Sequence, residues 1–103
     1  MWFQYILLIN KLKKNNHISN LDLDICYLSA SEALEKFKDK SLSPVELLTE
    51  TIKRTEEVNP KINAFNFFRF DEALEEAKKS ELKYVKGDIS LPLEGIPLAI
   101  KDE

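Results

Sequence analysis

The run SPVELLTETIKRTEEVNP, residues 43–60, carries a full set of helix signals. The Ser43 hydroxyl is placed to accept from an N–H left over in the first turn, and Pro44 falls at the first helical position, where its missing donor costs nothing. Val45, Leu48 and Ile52 recur at i, i+3 and i+7, with Leu47 and Thr51 alongside, while Glu46, Glu50, Lys53, Arg54, Glu56 and Glu57 supply charge. That spacing predicts an amphipathic helix in need of a surface to cover. Asn59-Pro60 should end it, because a residue preceding proline is pushed out of the helical region.

Working outward toward the N-terminus, SASE at 29–32 is a capping box: the Ser29 hydroxyl accepts from the Glu32 N–H while the Glu32 carboxylate reaches back. It predicts a short helix ending near Lys40, with Ala33, Leu34 and Phe37 on its apolar side and Lys38 and Lys40 at the negative end of the dipole. Toward the C-terminus, INAFNFFRF at 62–70 holds Phe65, Phe67, Phe68 and Phe70, which are expected to bury a large share of the core area. DEALEEAKKSELKY follows, with Asp71 as the expected N-cap, Ala73, Leu74 and Ala77 on one side, and a third helix running to about Tyr84 before Gly87 breaks it. Both glycines, 87 and 95, lie in the final 17 residues with Pro92 and Pro97, so the chain turns there from helical into turn and strand sequence. Residues 96–100, IPLAI, read as a buried strand with Lys101 at its C-terminal edge, where open α/β sheets place their working groups.

At 103 residues the chain can form one small domain or part of a larger one. Hydrophobic residues make up 44% and charged residues 32%, a globular composition. The net charge of −3 divides into +1 over residues 1–28 (three Lys, two Asp) and −4 over the remainder, which argues against a basic nucleic-acid surface. Cys26 is the sole cysteine, so an internal disulfide is excluded, and a buried inert thiol is expected. His17 stands in the polar run KKNNHISN with no second ligand nearby, so no metal site is expected. The apolar opening MWFQYILLI is too short to span a bilayer, and its basic residues follow it instead of preceding it as in a secretory signal. It reads as a membrane-surface anchor using Trp2 and Tyr5, a segment packed on a partner, or non-native sequence; Lys11, Lys13 and Lys14 are too few for firm membrane binding. Residues 1–27 are accordingly separated as an extension of unknown role.

The order of these elements, and above all LSPVELLTETIKRTEEVNPKINAF and LEGIPLAIKD, resembles the N-terminal portion of the amidase signature family, serine amidohydrolases built on a Ser, cis-Ser, Lys triad. The resemblance covers residues 28–102, close to three quarters of the chain. It implies an α/β fold with a mixed central sheet wrapped by helices, of which residues 28–103 would be the mostly helical N-terminal part of the amidase domain, ending in one core strand. It also implies that Lys101, which closes the glycine–proline segment, is the triad lysine, with Asp102 matching the acidic residue that usually follows and Glu103 standing where many members carry Asn.

Such a lysine must shed its proton to activate a serine. Bringing its reference pKa of ~10.4 near 7 costs on the order of 4 kcal/mol, which only desolvation or neighbouring positive charge supplies. The apolar run Leu98 to Ile100 could form part of a dry wall, and Asp102 would point to the opposite face of a strand. The family's glycine- and serine-rich signature lies downstream of the lysine, and the serines here, at 19, 29, 31, 41, 43, 80 and 90, all precede Lys101. The expectation is therefore a cytoplasmic amidase fragment, inactive alone, whose complete form hydrolyses a small-molecule carboxamide through an acyl-serine intermediate without metal or organic cofactor. An amidotransferase A subunit, releasing ammonia from glutamine for misacylated tRNA without direct nucleic-acid binding by this segment, is the alternative within the family. A non-catalytic helical interaction module is the alternative outside it. Deprived of its sheet, the segment would expose Phe65 to Phe70 and favour self-association.

Overall fold

The computed structural model describes residues 25–101. The readings placed on residues 1–9, His17, Asp102 and Glu103 therefore lie outside the described residues. Among the described residues three helices follow one another: α1 (Ala30–Asp39), α2 (Pro44–Ile62) and α3 (Phe70–Lys86).

Helix α1 starts as its sequence requires. Ser29 Oγ accepts from the Glu32 N–H at 3.2 Å, and the Ser29 N–H donates to Glu32 Oε2 at 2.8 Å, which holds the Glu32 carboxyl below its ordinary value. It ends on Lys40 in the left-handed region, and the Ser41 and Leu42 N–H groups both reach back to the Lys36 carbonyl. Helix α2 is capped by Ser43, whose hydroxyl accepts from the Glu46 N–H at 3.0 Å, with Pro44 at the first position.

Helix α2 runs past its expected stop. Pro60 lies inside it, and the helix ends at Ile62 with Asn63 in the left-handed region. The hydrogen bond lost at Pro60 is offset by Asn59. Its carbonyl accepts from the Asn63 N–H at 2.7 Å, and its side chain clasps the Phe65 backbone, donating to the carbonyl at 3.1 Å and accepting from the N–H at 2.9 Å. A single asparagine thus closes the helix and turns the chain that follows.

The start of α3 also differs from the expected one. Arg69, not Asp71, occupies the N-cap and makes no side-chain cap bond, so Asp71 and Glu72 sit in the first turn, where their charge suits the positive end of the dipole. Arg69 and Glu72 form an ion pair there. At the other end Gly87 supplies the left-handed C-cap, and the Gly87 and Asp88 N–H groups close the helix onto Tyr84 and Lys83. Ala77, Ser80 and Tyr84 are the buried residues of α3, at i, i+3 and i+7.

The core gathers Ile25, Ala33, Phe37, Leu42, Leu47 and Tyr84, with Leu28, Leu34, Val85, Ile89 and Ile96 packed against it. Phe37, wholly buried, meets the Tyr84 ring at a centroid distance of 5.3 Å and a 60° tilt. On α2 the buried side chains are Leu47, Leu48, Pro44 and Glu46, while Val45 and Ile52 are only half-buried. Glu46, whose type and position place it among the solvent-facing charges, lies inside.

Two expectations fail together. The aromatic run is not in the core, since Phe65, Phe67 and Phe68 are all exposed; the Phe68 ring instead meets two others of the run at a tilt, Phe65 at 6.1 Å and Phe70 at 4.8 Å. Nor does IPLAI form a strand: among the described residues there is none, and Leu98 and Ile100 are each 83% exposed. The cause is shared. A strand is completed by the N–H and C=O groups of a neighbour, and an apolar run is buried only against a second surface. Among residues 25–101 neither run meets such a partner, so the sheet half of the expected α/β fold is missing from the described residues.

Candidate functional site

Lys101, the candidate catalytic residue, is exposed at the end of the described chain, six residues beyond Gly95. What the fold provides is the fixed point from which its segment departs. Glu94 fastens the turn at 91–95 to α3. Ser80 Oγ donates to Glu94 Oε2 at 3.0 Å, Lys83 Nζ approaches Glu94 Oε1 at 2.6 Å, and the Tyr84 hydroxyl donates to the Glu94 backbone carbonyl at 2.7 Å. These three α3 residues lie within four positions of one another, so a single turn of helix holds both the side chain and the backbone of Glu94.

The charges respond to this contact. The Lys83 ammonium beside it leads the causes that hold the Glu94 carboxyl below its ordinary value, against the opposing effect of burial, and the hydrogen bond from Ser80 adds to the lowering. Lys83 is raised in turn, first by its contact with the Glu94 carboxylate. Tyr84 is pushed up by burial and then by the Glu94 charge. For a carboxyl lowered on folding, the stabilisation is present above the unfolded value and is lost as pH falls through the folded one, so the contact is intact at neutral pH.

Gly95 backs onto the opposite wall. Its φ is +88°, and a Cβ there would lie 2.8 Å from Pro44 Cγ, 3.1 Å from Pro44 Cβ and 3.2 Å from Phe37 Cε2. The glycine is therefore required twice, for the backbone angle and for the close approach of the loop to α1 and α2. Gly95→Ala is expected to cost about 1 kcal/mol for the left-handed backbone and about 1–3 kcal/mol more for overpacking. Gly87→Ala is the control, because Gly87 shares the positive φ but has nothing within 4 Å of the added carbon. Urea unfolding midpoints should separate the two, and equal losses would show that the Pro44 contact is immaterial.

Three of the serines carry structural tasks. Ser29 and Ser43 cap helices, Ser80 binds Glu94, and Ser43 also bonds the Glu81 carboxyl, which burial pushes up and this bond pulls back. Cys26 is half-buried, with its thiol donating to the Glu50 carbonyl at 3.6 Å. In the sequence Glu94 stands out only as part of LEGIP, and Ser80, Lys83 and Tyr84 carry no evident role. The available signal was their spacing on one face of the third helix, together with an acidic residue placed directly before a glycine.

The chain matches the Amidase family profile over residues 46–103, more than half its length. It is 40% identical over 80 residues to the A subunit of the glutamyl-tRNA(Gln) amidotransferase of Carboxydothermus hydrogenoformans. The chain belongs to the amidase family. The Carboxydothermus alignment takes in 78% of this chain and 16% of the relative. The corresponding A subunit of Maricaulis maris is 44% identical over 75 residues (73% of this chain, 15% of the relative), and that of Methylacidiphilum infernorum 41% over 75 residues (73% and 14%). This amidase-family chain thus spans about one sixth of the length of the curated relatives it matches. No solved structure matches it. Among the described residues no helix is long and apolar enough to cross a membrane.

Proposed function

We propose that residues 28–103 form the N-terminal part of the amidase domain of a glutamine-dependent amidotransferase A subunit, with residues 1–27 as an extension outside it. The similarity to proteins named as the A subunit of glutamyl-tRNA(Gln) amidotransferase carries this reading, at 36–44% identity over 61–78% of the chain. In this reading the molecule is cytoplasmic and works beside other subunits. Its amide substrate is glutamine, whose carboxamide C–N bond is cleaved through an acyl-serine intermediate to release ammonia.

Lys101 is the triad lysine in this proposal. Its proton acceptance requires a dry surrounding, and the exposed apolar positions Leu98 and Ile100 are the natural contacts for the rest of an α/β sheet. Residues 96–100 would then become the strand that the isolated segment lacks. Ser29, Ser43 and Ser80 are committed to caps and to Glu94, and the resemblance puts the serine-bearing signature downstream of the lysine, so in this reading the nucleophile comes from polypeptide outside these residues and the segment alone is inactive.

A simple carboxamide hydrolase is the second reading, favoured by the family match itself. The two part on substrate. Ammonia release from glutamine by the intact enzyme should exceed release from small aliphatic or aromatic carboxamides by at least about tenfold in kcat/KM, since a site built to bind a polar group discriminates strongly against analogues lacking it. A preference for the small carboxamides would replace the amidotransferase reading with the hydrolase one.

A further inference from the structure

Among the described residues that follow α3, Glu94 is anchored through both its side chain and its backbone. Its side chain is 10% exposed while that of its partner Lys83 is 45% exposed, so the pair sits at the mouth of the contact with the carboxylate on the inner side. Ser80 and Lys83 hold one oxygen each, Tyr84 holds the carbonyl, and the next residue is pressed onto Pro44 and Phe37. Residues 94 and 95 are thereby clamped between α3 on one side and the α1–α2 junction on the other. Six residues further on, a reach of at most ~22 Å even when fully extended, stands Lys101.

We propose that Glu94 is a positioning residue for Lys101: the clamp on Glu94 and Gly95 sets where, and in which direction, the lysine-bearing segment leaves the helical layer. This rests on the assignment of Lys101 as the triad lysine. Turnover depends steeply on placement, and a displacement of about 1 Å at a reacting group can cost up to ~100-fold in rate. Loosening the clamp should therefore lower kcat and leave KM for glutamine little changed, because the contacts at Glu94 touch the segment and not the substrate.

The test uses the intact enzyme and glutamine, with Lys101→Ala measured in parallel. Glu94→Ala is expected to lower kcat about tenfold or more with KM within about twofold, and to speed amide hydrogen exchange at Ile96, whose N–H donates to the Leu93 carbonyl across this turn, by at least about tenfold. Glu94→Gln, which keeps the shape and an acceptor for Ser80 but loses the ion pair, should recover part of both. Ser80→Ala and Tyr84→Phe each delete one contact and serve if Glu94→Ala fails to fold, and each should move kcat and exchange in the same direction. Unchanged exchange at Ile96 in these variants overturns the clamp outright. Unchanged kcat alongside an inactive Lys101→Ala overturns the positioning role while leaving the lysine assignment standing. An active Lys101→Ala removes the assignment on which the positioning role rests.

Discussion

Replacing Lys101 by alanine should lower kcat for glutamine hydrolysis by the intact enzyme about 100- to 10,000-fold, the range that a positioned proton acceptor supplies. The side chain is exposed within this segment and absent from the core cluster, so its loss should leave the helical layer folded. Far-UV circular dichroism and an unchanged unfolding midpoint would verify that. Lys101→Arg separates the available explanations. An arginine keeps the positive charge and much of the length but is never neutral in a protein, so it can neutralise an anion yet cannot take a proton from a hydroxyl. If the lysine acts as a base, both variants are inactive. If it serves only as a cation, Lys101→Arg retains a substantial share of turnover. A kcat within about threefold of the native value in Lys101→Ala would end the catalytic assignment.

The helical half of this molecule was legible because its signals are local. The capping box at Ser29 and Glu32, Ser43 with Pro44, and Gly87 at the end of α3 each act within four residues, and each appears where the sequence puts it. The misplaced boundaries have equally specific causes. Asn59 supplies through its side chain what Pro60 removes from the ladder, an exchange visible only once the chain has turned back to bring the Phe65 backbone beside it. Asp71 has the residue type of a cap, but the helix has already begun at Phe70. The aromatic run and IPLAI depart from their sequence pattern for a different reason. Hydrophobicity states that a surface wants covering and does not state what covers it, and residues 25–101 offer neither run a partner. In the proposed site Lys101 comes from family resemblance alone, whereas the Glu94 clamp joins residues 10 to 14 positions apart, a pairing that spacing along one helix does not announce.

Phe37→Ala should be the most damaging substitution within the helical layer. Leucine- and phenylalanine-sized deletions in a core cost the transfer free energy of the removed atoms and a further amount for the space left behind, together about 3–5 kcal/mol for phenylalanine. Phe37 meets the conditions for the full loss: it has no exposed surface, its ring lies against Tyr84 from α3, and its Cε2 edge forms part of the floor under Gly95. The neighbours cannot readily close over the gap, because Gly95 has no side chain to move and Pro44 is held rigidly by its ring at the start of α2. Urea unfolding should show the loss as a lower midpoint with little change in slope. Phe37→Leu, which keeps most of the volume, should cost less than half as much. The ring contact itself is accessible by a double-mutant cycle of Phe37→Leu with Tyr84→Leu, for which a coupling of about 0.5–1.5 kcal/mol is expected. Tyr84→Phe must be run beside it, because Tyr84 also donates to the Glu94 carbonyl and that bond is lost in any Tyr84→Leu variant. A cost below about 1 kcal/mol for Phe37→Ala would place the residue outside the core and remove the floor on which the Glu94–Gly95 clamp stands.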